Sequence, residues 1–158
     1  MKRGFVRTKL LRIFGEGMGN NSKFTIAVHI LTMLANAKDA SLKSDYVAKS
    51  INTNPVVVRR IWANLVKAGL IVSRTGSGGG ARLAREASEI TLLDIYRAVE
   101  TGCLFPVQPN QPNQHCQVGK NIQGVLDEVI QVVQQKMETA LVKVSIADVL
   151  KSVMNCQE

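Results

Sequence analysis

Residues 44–83 read SDYVAKSINTNPVVVRRIWANLVKAGLIVSRTGSGGGARL, and this stretch decides the fold. Its apolar residues recur first at the spacing of a helix and then at the spacing of a strand. Pro55 suits the first turn of a helix, where no N–H is needed, and Gly69 suits the position just after a helix end. The stretch predicts, in order, a helix over 46–51 capped by Ser44 or Asp45, a turn over 52–54, a helix over 56–68, and strands over 70–74 and 81–84 around the glycine-rich turn 75–80.

Two short helices joined by a tight turn and followed by a hairpin form a winged helix-turn-helix. Thr91 and Asp94 have the spacing of a capping box, and Ser145 suits the cap of a last helix. Outside the motif we expect a first helix that is capped by Ser22 and ends near residues 36–37, and helices over 92–101, 119–142 and 146–153. The segment 103–118, rich in Pro, Gln and Asn, is expected to be a loop. The predicted fold class is therefore mainly α with a small β-hairpin, a winged helix-turn-helix plus a long C-terminal dimerisation helix.

The dimerisation hypothesis depends on the helix 119–142. Its apolar residues cover more than one narrow stripe, so one side can pack in its own subunit and another against a second copy. The alternative is a helix that is wholly buried in one subunit.

Charge divides the chain into unequal parts. Residues 1–90 carry fifteen basic and five acidic side chains, whereas residues 91–158 carry five basic and seven acidic ones. The first part is suited to a polyanion such as nucleic acid, and the second is not. We expect a basic N-terminal arm or leader over 1–21, a winged helix-turn-helix DNA-binding domain over 22–90, and a dimerisation and sensing region over 91–158 that contains the loop 102–118.

The helix 56–68 is the predicted reading helix, the one that enters the major groove of DNA. Its expected apolar side consists of Val57, Val58, Ile61, Leu65 and Ala68. Arg and Asn on the opposite side suit base edges or phosphates, and Arg beside the glycine turn suits a minor groove. The alternatives are an ordinary solvated helix face and a solvent-facing loop. The predicted DNA-contacting residues are Lys43, Ser44, Thr53, Asn54, Pro55, Val56, Val57, Arg59, Arg60, Asn64, Arg74, Ser77, Gly78, Gly79 and Arg82.

Two patterns typical of enzymes are also present, and the sequence argues against both. The glycines over 76–81 fit the spacing of a dinucleotide-binding turn, but that turn must follow a strand and open a helix. Here it follows helices and precedes a strand. His115 and Cys116 are neighbours, but no third group is evident to orient them as a nucleophilic pair. We therefore predict no catalytic residue and no enzyme.

The cysteine count and the hydropathy suggest the compartment. The chain has three cysteines without a CxxC pair, which favours a reducing cytoplasm over a secreted disulfide framework. The longest uncharged hydrophobic stretch, over 24–37, is too short to span a membrane, so we expect no membrane partner. No metal ligand or cofactor site is predicted.

Four blocks of the sequence resemble the Rrf2 family of bacterial transcriptional regulators. They are SINTNPVVVRRI at 50–61, LVKAGLI at 65–71, GGGARLAR at 78–85 and ITLLDIYRAVE at 90–100. The resemblance covers about residues 22–141. It implies a homodimer that binds double-stranded DNA at a pseudo-palindromic operator, usually as a repressor, with a long C-terminal helix that forms most of the dimer interface.

The sensing function of that family is where this sequence departs from the pattern. Several members hold an iron–sulfur cluster on three closely spaced cysteines after the helix that contains IYRAVE. Here Cys103 and Cys116 stand in that region without a third cysteine, which argues against a cluster. Reversible oxidation of these two thiols, a small-molecule effector, or a bound metabolic enzyme are the alternatives, beside two unreactive cysteines. A protein-interaction module with an incidental basic face is the alternative to a DNA-binding regulator.

Overall fold

Six helices and one β-hairpin form the part of the chain that the computed structural model describes, which is residues 22–38, 40–74, 76, 79–100, 102, 105 and 109–157. The mainly helical fold with one hairpin is confirmed. The elements in chain order are α1 (Ser22–Asn36), α2 (Ser44–Ile51), α3 (Pro55–Lys67), β1 (Ile71–Arg74), β2 (Gly80–Leu83), α4 (Leu92–Val99), α5 (Gln117–Leu141) and α6 (Ile146–Met154), with short 3-10 turns at Ala87–Glu89 and Asn155–Gln157.

The ends of α3 follow from local chemistry. The side-chain oxygen of Asn54 accepts a hydrogen bond from the N–H of Val56 at 2.8 Å, so Asn54 caps the helix. Pro55 occupies the first turn, and Gly69 follows the helix end with a φ of +68°, a conformation that glycine adopts without steric cost. The predicted start and stop of the reading helix are thus confirmed within one residue.

Helices α4 and α6 begin next to each other, and each begins with a capping box. Thr91 and Asp94 form the predicted capping box of α4, and Ser145 forms one with Asp148 at the start of α6. The hydrogen bonds from Ser145 lower the pKa of the Asp148 carboxyl. A β-bridge joins Thr91 to Ser145, and two backbone hydrogen bonds of 2.9 Å flank it.

The core is built around α1, which packs against α6, α4, α3 and α2. Fully buried side chains from all these helices and from the hairpin fill it. Ile95 of α4 and Ile146 of α6 are 0% exposed, so both helices complete the core of the winged helix-turn-helix. Burial of such side chains is the main favourable term for the fold.

Two details of the motif differ from the prediction. Lys43 is the N-cap of α2, which begins at Ser44, so the predicted cap at Ser44 or Asp45 is wrong. The apolar side of α3 consists of Val58, Ile61, Trp62 and Leu65, which follow one helical stripe. Val57 and Ala68, which were expected on that side, are exposed: Val57 lies outside this stripe, and Ala68 is the C-cap beyond the last helical residue.

Helix boundaries after the hairpin also differ slightly. Helix α4 ends at Val99 and not at 101. Helix α5 begins at Gln117, inside the predicted loop 102–118, because the turn over 113–116 already directs the chain into the helix. Among the described helices, none is long and apolar enough to cross a membrane.

Helix α5 extends from the body with its apolar side exposed. It contains no buried residue, so the alternative of a helix wholly buried in one subunit is wrong. Its C-terminal part contacts α4, where Arg97 donates to the Glu138 carboxylate at 2.7 Å. Hydrogen bonds from Gln134 and then from Arg97 lower the pKa of Glu138, so this tie is present above the ordinary carboxyl pKa and is lost as the pH falls through the lowered one.

Candidate nucleic-acid interface

The start of α2, the outer side of α3 and the hairpin meet at one surface. Together they line a cleft of about 670 Å³. A β-bridge between Leu42 and Ala81, with backbone hydrogen bonds of 3.0 and 2.9 Å, ties the hairpin to the segment that leads into α2. Gly80 is required beside this bridge, because a Cβ there would lie 2.7 Å from the Leu42 carbonyl oxygen. The sequence thus fixes the wing, defined as residues 71–83, against the helix-turn-helix.

The structure brings part of the predicted site together in this cleft. The predicted residues that line it are Lys43, Ser44, Arg59, Arg74 and Gly79. The other described residues of the prediction, which do not line the cleft, are Thr53, Asn54, Pro55, Val56, Val57, Arg60, Asn64 and Arg82. Ser77 and Gly78 lie outside the described residues.

The exposed side of α3 begins with two valines and two arginines. Val56 and Val57 are 52% and 36% exposed, although valine is normally a core residue. Arg60 is exposed and forms no ion pair with another described residue. Arg59 lies 3.5 Å from Asp45, and because both side chains are exposed this pair is weak. The first turns of α3 therefore present both apolar and cationic groups to solvent.

Two predicted or nearby polar residues have structural partners instead. The first is Asn54, whose side-chain oxygen caps α3. Asn64 also lies on α3 and is half-buried. The second is Arg85, just after the wing. Its guanidinium nitrogen lies 3.1 Å from a carboxylate oxygen of Asp94, so it links the end of the wing to the start of α4. These contacts hold the surface in place.

Part of the cleft wall falls outside the predicted DNA contacts. Trp62, Val66 and Lys67 line it, yet none of them was among the predicted contacts. The signal was available for Trp62, since it lies four residues after Val58 on the same stripe. A predicted apolar stripe through Val58, Ile61, Trp62 and Leu65 would have placed the Trp62 side chain between the core and the cleft.

The cysteine region offers one exposed thiol and no assembled metal site. Cys116 is the exposed N-cap of α5, and backbone N–H groups of Gly119 and then Val118 lower the pKa of its thiol. Cys103 lies outside the described residues. Across the described ranges, no three His, Cys, Asp or Glu side chains come close enough together to hold a metal ion.

Comparisons with known proteins identify the family of the chain. Residues 20–152 match the family model Rrf2, described as "Iron-dependent Transcriptional regulator". YwnA of Bacillus subtilis (strain 168), whose name classes it among HTH-type transcriptional regulators, is 44% identical over 131 residues, which is 82% of this chain and 96% of YwnA.

Two solved structures are similar along most of the chain. One is a crystal structure of a protein described as DNA-binding, with 40% identity and a TM-score of 0.66 over 81% of this chain and 98% of the other. The second is IscR of T. potens, with 25% identity and a TM-score of 0.67 over 90% of this chain and 93% of IscR. Because the family model spans most of the chain and its relatives are regulators and not enzymes, the chain belongs to the Rrf2 family of transcriptional regulators.

Proposed function

We propose that the protein is a sequence-specific transcriptional repressor that binds a pseudo-palindromic operator in double-stranded DNA as a homodimer. The observation that carries the proposal is the exposed side of α3 beside the wing, with Arg60, Arg74 and Arg82 all exposed. A helix held by one apolar stripe and presenting arginines on the other side suits the major groove, with the wing on the adjacent minor groove or backbone. A dimer seated on a promoter would block transcription there.

The exposed apolar stripe of α5 supports the proposed homodimer. Seven apolar side chains fall on one side of this helix at helical spacing, and they are Val118, Ile122, Val125, Leu126, Val129, Val132 and Val133. An exposed apolar patch of this length is unfavourable in water, and a second copy would cover it. A symmetric dimer would place two reading helices on two half-sites of the operator.

The site of action and the control of the protein are further parts of the proposal. Because its target is bacterial DNA, we place the protein in the cytoplasm. Thiol oxidation at Cys103 and Cys116 stays a prediction, supported by the exposed Cys116 thiol and its lowered pKa. A small-molecule effector or a bound metabolic enzyme is the other form of control that we keep.

Iron does not enter the proposed mechanism, although the family description names it. A cluster usually needs four protein ligands, and between α4 and α5 this chain has only Cys103, Cys116 and His115 as cysteine or histidine ligands. The described residues add no cluster of three His, Cys, Asp or Glu side chains. The residues present therefore do not fit an iron–sulfur site.

The direct test is binding of the purified protein to the DNA upstream of its own gene, measured by fluorescence anisotropy across a salt series, first reduced and then oxidised. We expect tight, sequence-selective binding that weakens steeply with salt, because phosphate contacts release counterions. Selective binding that disappears on oxidation would support the thiol switch. Dimerisation without any DNA binding would instead favour a protein-interaction module.

Arg60→Ala should lower operator affinity by about 1–3 kcal/mol, which is about 5- to 150-fold, if Arg60 contacts a base edge. The physical reason is that Arg60 is exposed and unpaired by the described residues, so its fork of donors is free for guanine. Anisotropy titrations with operator and with random DNA at fixed salt measure the effect.

Two further variants serve as controls for Arg60. Arg60→Lys keeps the charge but loses the bidentate fork, so it should restore affinity for random DNA and not the selectivity. Lys151→Ala, at an exposed position of α6, removes one charge outside the predicted DNA contacts and should leave both affinities nearly unchanged. Unchanged operator affinity in Arg60→Ala would contradict the assignment of α3 as the reading helix.

We also expect thymines in each half-site beneath the exposed valines at the start of α3. Val56 and Val57 are the apolar groups presented there, and the thymine methyl is their natural contact in the major groove. Replacing such a thymine by deoxyuridine removes one buried methyl group and should weaken binding by about fourfold.

The control for the thymine prediction is the variant Val56→Ala/Val57→Ala. Its affinity for thymine and deoxyuridine operators should be nearly equal, because the methyl has lost its partner. A deoxyuridine effect of the same size in parent and variant would show that other residues contact the methyl groups.

A further inference from the structure

A second groove lies between α1 and α6, and it shares no lining residue with the basic cleft of α3 and the wing. Its volume is about 400 Å³. Its lining comes from one side of α1, between Thr25 and Asn36, and from four apolar side chains of α6, which are Val149, Leu150, Val153 and Met154. None of these described lining residues is Asp, Glu, Lys or Arg, so the groove suits an apolar partner and not a nucleic acid.

The α6 wall of this α1–α6 groove is open to solvent. Val153 is 48% exposed and Met154 is 40% exposed, although residues of both types are usually buried. No residue of α5 is among the described residues that line the groove, so the long helix of the same chain does not cover it. The groove is therefore an apolar surface that the described part of the chain leaves open.

The exposed stripe of α5 is a second apolar surface of similar length. It extends from Val118 to Val133, which is about 22 Å along the helix axis. The α1 side of the groove, from Thr25 to Asn36, extends over about 16 Å. Because neither surface contains a Lys, Arg, Asp or Glu side chain among its described residues, contact between them buries no charge.

The size of the stripe indicates that α5 needs more than another α5 as its partner. A stable interface between two chains takes about 20–30 residues from each side. The stripe supplies only seven apolar side chains, so two α5 helices that contact each other alone fall well short of this size. Seven residues from the stripe and ten from the groove bring each copy close to it.

We propose that the α5 stripe of one copy lies in the α1–α6 groove of a second copy. Two-fold symmetry then places the second copy's stripe in the groove of the first, so both apolar surfaces are covered at once. This inference rests on the proposed homodimer and adds the surface that receives α5. Because the core is built around α1, the second copy would also stabilise the fold of the DNA-binding part.

The first test places a carboxylate in the groove by the change Val153→Glu. Val153 is 48% exposed in the single chain, so the fold tolerates the new side chain, whereas the second copy's α5 would bury its charge without a partner. We expect the dissociation constant of the dimer, measured by sedimentation equilibrium, to rise by about tenfold or more. Circular dichroism checks that the variant remains folded.

The matched control is Ser152→Glu. It adds the same charge at the neighbouring position of α6, which is exposed and is not part of the groove lining. An exposed charge contributes little, so the dissociation constant should stay within about twofold of the parent.

The second test uses complementary charges in two different chains. Labelled Val129→Glu carries a carboxylate on the stripe, and Val153→Lys carries an ammonium group in the groove. Each variant alone should dimerise weakly. A mixed dimer has one unchanged contact of stripe and groove and one contact in which Glu meets Lys. We therefore expect labelled Val129→Glu to bind Val153→Lys about fivefold or more tightly than it binds the parent.

Three outcomes would overturn the proposal. They are a dimer that Val153→Glu leaves unchanged, equal weakening by Val153→Glu and Ser152→Glu, and equal binding of labelled Val129→Glu to Val153→Lys and to the parent. Each would leave α5 in contact with surfaces other than the groove, while the homodimer itself would stand. The homodimer of the proposed function fails separately, if the parent is monomeric at micromolar concentration.

Discussion

Replacing Val125 and Val129 of α5 by Glu is expected to convert the protein into a monomer and to lower its operator affinity by about 10²-fold or more. These side chains are 57% and 55% exposed and stand one helical turn apart within the apolar stripe. In the proposed dimer they are covered by the second copy, so the variant would bury unpaired carboxylates there, which is strongly unfavourable. A monomer binds one half-site at a time, so it loses the affinity that a dimer gains by binding two half-sites at once.

The measurement combines sedimentation equilibrium with anisotropy on a full operator and on a single half-site. The monomeric variant should bind the half-site nearly as the parent does, because α3 and the wing are unchanged. The matched control is Gln123→Glu/Gln131→Glu, which adds two carboxylates to the opposite side of the same helix. A parent that is monomeric at micromolar concentration, or a stripe variant that remains dimeric, would contradict the proposed interface.

Leu65→Ala is expected to destabilise the fold by about 2–5 kcal/mol, a large share of the stability of a domain of this size. Leu65 is 0% exposed, and it joins α3 to the core around α1. Truncation removes buried methyl groups and leaves a cavity that the surrounding helices fill only in part.

Urea unfolding followed by circular dichroism at one protein concentration measures this loss. The neighbouring variant Val66→Ala is the control, because Val66 is 42% exposed and its truncation should cost less than about 0.5 kcal/mol. A similar loss in both variants would contradict the inward orientation of the α3 stripe. Since α3 carries the proposed DNA contacts, Leu65→Ala should also weaken operator binding when part of the population is unfolded.

The sequence predicts best those features that depend on neighbouring residues. Pro55, Gly69, the Thr91 capping box and the Ser145 cap all mark helix ends by local backbone chemistry, and each lies where it was expected. Local signals also compete, which explains the error at α2. Ser44 and Asp45 are both good caps by type, yet α2 begins at Ser44 and its N-cap is Lys43, whose side chain makes no capping hydrogen bond.

Features that depend on distant residues could not be derived from spacing. Arg97 and Glu138 are 41 residues apart, and nothing in either neighbourhood indicates their contact. The packing of α6 on α1 is of the same kind. The apolar side of α3 was predicted in the wrong position, and the cause lies outside the helix. Packing against the rest of the core decides that Trp62 and not Val57 is buried.

Because α4 and α6 begin at the same β-bridge, the C-terminal end of α5 is held in place and the helix can act as a lever. With 25 residues, α5 is about 37 Å long. Its C-terminal end leads into the Thr91–Ser145 bridge, while the rest extends from the body. A rotation of a few degrees at this C-terminal end, where the Arg97–Glu138 pair lies, is multiplied along this length. In the proposed homodimer, the angle at which the two subunits meet through α5 would then set the distance between half-sites that the protein tolerates.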